Sequence, residues 1–178
     1  MANSVNGYPV IESDTYGGPQ LRRFNIPDKT GKIVAVLPMR DGSAGFLLAH
    51  LAAWFNDEIE PLAGKVLDDW GYAYRPIAGT DSYSNHASGT ACDLNALQHG
   101  RGRHTFSARE FKAIAKRVTS VYDGCIECGS VWSNPDDMHF ELSKTFTAVQ
   151  NRARALLTSP RGKLVTEVNP GLSQFVLS

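Results

Sequence analysis

At 178 residues with 42% hydrophobic content, the chain can bury a core as one domain and is neither disordered nor fibrous. Its 18 basic and 18 acidic residues cancel without any basic block, which removes the electrostatic footprint of a nucleic-acid binder. No stretch approaches the roughly 18 apolar residues of a membrane span, and Met1 to Pro9 lacks a charged region followed by an apolar one, so no signal peptide, no membrane insertion and a cytosolic start are expected.

Residues 1–32 are rich in Gly, Pro, Asn and Asp and read as loops and turns wrapped on the body. Ile33 to Leu37 is a short β-branched apolar run, a strand between the turn Asp28 to Gly31 and the loop Arg40 to Ser43. From Ala44 to Glu60, Leu47, Leu51, Trp54, Phe55 and Ile59 recur at three- and four-residue steps and predict a core-facing helix that Pro61 ends. His50 lies near that stripe and reads as a packed histidine with no partner spaced for metal binding.

Trp70 to Ile77 reads as a strand ending at Pro76, with Arg75 at its mouth, and the polar loop Gly79 to Ser84 delivers the chain to His86. Thr90 to Leu94 is a further strand. Ser107 and Glu110 form a capping box ahead of a helix whose face is Phe111, Ile114, Ala115, Val118 and Tyr122. Cys125 to Trp132 and Met138 to Leu142 read as strands joined by the turn Ser133 to Asp136, and Thr145 to Leu157 as a closing helix. Residues 1–158 would form the domain, and residues 159–178, with Pro160, Gly162, Pro170 and Gly171, a tail or truncated linker. This order argues for an α+β fold, a small antiparallel sheet with flanking helices.

The three cysteines make no disulfide framework. Cys125-x-x-Cys128 has no second pair to complete a four-sulfur metal site and no proline between its members, so both read as ordinary part-buried residues. The chemistry lies elsewhere. A catalytic zinc needs three imidazole or carboxylate ligands and an open fourth position, and His86, Asp93 and His139 are a candidate trio, two from one loop-to-strand segment and one from a distant strand. His99 and His104 flank a Gly-Arg loop without coordination spacing and read as solvated; Arg101, Arg103 and His104 could touch anionic material.

Ser84-Asn85-His86-Ala87-Ser88-Gly89-Thr90-Ala91-Cys92-Asp93-Leu94, with Asp136-x-x-His139-Phe140, resembles the zinc peptidases of the D-alanyl-D-alanine carboxypeptidase (VanY-like) and L-alanyl-D-glutamate endopeptidase family. The resemblance runs from Gly71 to Leu142 and includes Tyr74-Arg75-Pro76, whose arginine faces substrate in that family. Its wording is closest to the peptidase domains of actinobacteriophage endolysins, and Asp rather than Glu at position 136 leans the same way. Cys92 departs from the pattern, where an aliphatic residue is usual.

The resemblance implies a hedgehog/D-Ala-D-Ala-peptidase-like fold, zinc held by His86, Asp93 and His139, Asp136 as the general base, Arg75 on the oxyanion or a substrate carboxylate, and Ser84 as a substrate hydrogen-bond partner. It implies a monomeric phage endolysin, made in the host cytoplasm and released through a holin-type pore, that cleaves the L-Ala-D-Glu bond of the peptidoglycan stem peptide. A D-Ala-D-Ala carboxypeptidase and a non-catalytic zinc-containing cell-wall-binding module are the alternatives. Strand alternation would put Asp137, not Asp136, on the face of His139. The turn residues Asn134 and Pro135 just upstream relax that rule, and Asp137 is expected to be solvated or supporting.

Overall fold

The computed structural model describes residues 2–12, 20–62, 68–77 and 79–177; the loop reading over residues 13–19 and the last residue of the expected tail lie outside them. Strands β1 (Leu21–Pro27) and β2 (Ile33–Arg40) form an antiparallel hairpin. Its turn is closed by Asp28 Oδ1, which accepts hydrogen bonds from the backbone of Thr30 and Lys32. β1 falls where only loops were expected, because Arg22, Arg23 and Asn25 interrupt its apolar residues. Leu21, Phe24 and Ile26 are nevertheless buried, and β2 runs three residues longer than the apolar run suggested.

Helix α1 (Ser43–Glu58) follows at once and is buried on every face from Ser43 to Phe55, so it is the central post of the molecule rather than a helix with one covered stripe. His50 is inside it, between the Tyr122 hydroxyl at 2.8 Å and Ser159 Oγ at 3.4 Å, a packed histidine as expected.

The second sheet has the order β3-β5-β4, all antiparallel, from β3 (Ala91–Asp93), β4 (Ile126–Cys128) and β5 (His139–Leu142), giving the α+β class. The capping box at Ser107 and Glu110 is formed and opens α2 (Ala108–Ser120), while Thr145 caps α3 (Phe146–Leu156). Residues 71–75 run extended without strand pairing; only single bridges, Trp70 to Asp93 and Pro76 to Tyr83, replace the strand expected there. The strand expected through Trp132 stops at Cys128, and a 3₁₀ turn takes over at Gly129. Cys125 and Cys128 are free and buried, and burial pushes the Cys128 thiol up to about 11.

Residues expected as a tail form α4 (Pro160–Glu167) and α5 (Leu172–Leu177), whose Val165, Leu172 and Val176 join the core around α1. Between them, Asn169 pairs with the edge of β1, its Oδ1 accepting from Asn25 N at 2.8 Å and its Nδ2 donating to Asn25 O at 2.8 Å. A side-chain amide thus satisfies backbone groups that an edge strand would leave open. Among the described residues no helix is long and apolar enough to cross a membrane.

Candidate metal centre

The second sheet brings two of the three sequence-predicted ligands into direct opposition. β3 and β5 pair with Asp93 across from His139 and Cys92 across from Phe140. Alternation along β5 sends Phe140 into the core, ring to ring with Phe55 at 5.7 Å, and turns His139 and Glu141 to the other face.

His86 arrives from the 3₁₀ turn Asn85–Ser88, capped at its start by the Ser84 hydroxyl on His86 N and closed at its end by Gly89. Gly89 has φ 66°, and a Cβ there would stand 2.6 Å from Arg40 N, so the turn needs glycine twice over. The extended segment before it lies tight on β2, with Tyr72 N donating to Pro38 O at 2.6 Å. A Cβ on Gly71 would stand 2.1 Å from that same Pro38 oxygen. This close approach carries the Gly71 carbonyl to His86 Nδ1, at 2.5 Å.

A carbonyl only accepts, so His86 Nδ1 carries the proton and its Nε2 presents a lone pair. That nitrogen stands 3.2 Å from His139 Nδ1 and 3.2 Å from Asp93 Oδ1, and His139 Nδ1 stands 2.8 Å from Asp93 Oδ1. His139 Nε2 faces Glu141 Oε2 at 2.8 Å. Two imidazole nitrogens and a carboxylate oxygen, all buried, therefore point at one another. Ligands about 2.0–2.2 Å from a tetrahedral zinc stand about 3.3 Å apart, so the spacing suits such an ion. These three residues could hold a metal.

The electrostatics agree with the geometry. Burial alone would push the pKa of His139 down, but hydrogen bonds to Asp93 and Glu141 reverse this and raise it to about 9: the pocket seeks a positive charge between its acceptors. Burial likewise opposes ionisation of Asp93, yet the two imidazoles hold its carboxyl well below the usual carboxylate range.

The trio opens on a cleft of about 350 Å³ lined also by Arg75, Ser84, Arg101, Trp132, Asp136 and Glu141. Asp136 Oδ1 is buried with no hydrogen-bond partner among the described residues, and Oδ2 is 3.8 Å from Arg101 Nε. Burial raises the Asp136 pKa, which suits a group that takes up a proton. Arg75 is exposed, and its guanidinium makes no ion pair with a described residue. Ser84 divides its hydroxyl between the cap and the cleft wall.

Asp137 is not solvated: it is buried away from the cleft, and its Oδ2 accepts from Thr105 N at 2.5 Å, Thr105 Oγ1 at 2.9 Å and Phe106 N at 3.0 Å. Burial would raise its pKa, but these donors lower it to about 2. Strand parity misleads here because β5 begins only at His139 and residues 137–138 are a turn. His99 is not solvated either. It is buried, with Glu60 Oε2 and Thr105 Oγ1 each at 2.7 Å from its ring nitrogens, while His104 is exposed as expected.

Three groups at the centre escaped the sequence reading: Glu141, Asn85 and the Gly71 carbonyl. The parity of Glu141 with His139 was a usable signal. Nothing local in the sequence marks the carbonyl.

Residues 78–142 match the family model described as D-alanyl-D-alanine carboxypeptidase. All three converging residues and Asp136 fall within that span, and the match supports a metal-dependent peptidase acting on peptidoglycan peptides. No curated protein and no solved structure matches the chain.

Proposed function

We propose that this protein is a zinc-dependent peptidoglycan peptidase of the phage-endolysin kind, hydrolysing the L-Ala-D-Glu bond of the stem peptide. The observation that carries metal-dependent hydrolysis is the convergence of His86 Nε2, Asp93 Oδ1 and His139 Nδ1 on the floor of an open cleft, with Asp136 beside them.

Zinc, when bound, supplies Lewis acidity, lowering the pKa of water toward about 7. The protein's own groups do the rest. Asp136, with an unpartnered oxygen and a raised pKa, accepts the proton of the attacking water and returns it to the leaving amine. Arg75 holds the developing oxyanion or a substrate carboxylate from the rim, and Ser84 hydrogen-bonds the peptide without leaving its cap. The Gly71 carbonyl keeps the proton of His86 on the far nitrogen throughout.

The choice of bond rests on the endolysin-like wording around His86 and on Asp at position 136. The description of the matched family favours a second reading, removal of a terminal D-Ala. Asp136 and Arg75 lining one cleft weigh against a non-catalytic module. Mass spectrometry of peptidoglycan fragments digested by the zinc-loaded protein separates these readings. New amino-terminal D-Glu is expected; free D-Ala alone moves the assignment to the carboxypeptidase, and no product at all removes the peptidase.

A further inference from the structure

Glu141 touches the candidate ligands without being one of the converging trio. Its Oε2 is 2.7 Å from Asn85 Nδ2 and 2.8 Å from His139 Nε2. The proton positions along this chain are dictated from its far end. The backbone N–H of Asn6 can only donate, so Asn85 Oδ1, 2.9 Å away, accepts and the other end of that amide donates. Asn6 is itself fixed, since its Nδ2 donates to the Leu142 carbonyl at 2.9 Å and to Thr90 Oγ1 at 2.8 Å.

The Glu141 carboxylate receives the Asn85 donor and, having acceptors only, demands a proton on His139 Nε2 as well. A neutral imidazole protonated there presents Nδ1 as a lone pair, and Nδ1 is the atom that meets Asp93 and His86. We propose that Glu141, oriented by Asn85 and through it by Asn6, is the positioning residue that fixes the tautomer and ring orientation of His139 for metal binding. This rests on the zinc-centre reading above. It makes the amino-terminal segment part of the site, although Asn6 lies 79 residues from Asn85 in sequence.

Zinc affinity measured by chelator competition, with long-range ¹H–¹⁵N correlation spectra of the zinc-loaded proteins, tests this without recourse to activity. In the wild type a slowly exchanging proton is expected on His139 Nε2. Glu141→Leu is expected to lose that slow exchange and to bind zinc about 10- to 100-fold more weakly. Glu141→Gln keeps an acceptor oxygen and is expected to retain the Nε2 proton, with a smaller loss of affinity. A proton on Nδ1 of His139 in the wild type overturns the proposal whether or not Glu141→Leu folds. Wild-type zinc binding with unchanged affinity in Glu141→Leu overturns it while leaving the zinc centre standing. A wild type that binds no zinc removes the centre itself.

Discussion

His50 and His99 on one side, His86 and His139 on the other, are four buried histidines in two kinds of surroundings. Around His50 each ring nitrogen faces a hydroxyl, and around His99 one faces a hydroxyl and the other a carboxylate. These rings are completed by the fold. In the cleft the outer nitrogens are equally well matched, by the Gly71 carbonyl and Glu141, but the inner ones meet each other and Asp93. With both outer nitrogens protonated, three acceptors share that space, and either a second proton on His139 or a metal cation relieves them. Burial and residue type do not separate a structural histidine from a binding one here; the balance of donors and acceptors does.

The largest effect expected from that contrast is on metal removal. Chelation is expected to abolish hydrolysis and to lower the melting temperature, since zinc at 1,000 times its Kd stabilises the native state by about 4 kcal/mol. Calorimetry with and without chelator reads both, and His99→Ala is expected to keep its zinc. Full activity after exhaustive chelation would break the comparison outright.

Asp136 and Asp137 differ one residue apart: each has one buried oxygen with no hydrogen-bond partner among the described residues, but Asp136 lines the cleft, whereas Asp137 spends its other oxygen on Thr105 and Phe106. Asp136→Ala is expected to keep zinc and lose about 10²- to 10⁴-fold in turnover, because the proposed mechanism makes its cleft-side carboxylate the proton acceptor. Asp137→Ala is expected to retain most turnover and instead to lose at least about 1.5–3 kcal/mol of stability, since Oδ2 anchors Thr105 and Phe106. Steady-state kinetics beside urea denaturation gives both numbers, and a swap of the two phenotypes reverses the assignment.

Acid sharpens the other half of the comparison. Burial first, then the charges of Arg117, Arg161 and Arg152, lower the pKa of His50 to about 3, against an ordinary value of 6.5. The unfolded chain therefore binds the proton first. The stability contributed by a neutral His50 is complete above pH 6.5 and is lost between there and pH 3, by up to about 1.4 kcal/mol per pH unit. His50→Leu is expected to flatten this part of the stability profile, measured from denaturation midpoints between pH 7 and 4; parallel profiles for variant and wild type would show that His50 does not titrate this way. Smallest of all, His104→Ala should change stability by less than about 0.5 kcal/mol, because the side chain is 63% exposed and its Nδ1 stands 3.6 Å from Asp137 Oδ1.

Local chemistry made parts of this protein legible in its sequence. The Ser107 and Glu110 box, the three- and four-residue apolar steps of α1 and the helix expected from Thr145 depend on residues near in sequence, and each element lies close to where its residues put it. The His86, Asp93 and His139 pattern was equally readable, because their convergence needs only a turn, a strand and one cross-strand pair. Helix α4 carried a readable start as well, Ser159 at the cap and Pro160 in the first turn, which the surrounding glycines and prolines concealed.

What the tertiary structure alone decided are the features whose partners lie far along the chain. β1 is held by a hairpin partner and by Asn169, 144 residues away from Asn25, so its own weak pattern could not announce it. Arg75 and Arg101 share a cleft with Asp136 only because the loops that carry them are folded onto one rim. The proton on His139 depends on Glu141, Asn85 and Asn6 in series. A sequence records which atoms can donate and accept, but which of them remain without a counterpart is known only once the whole chain has taken its place.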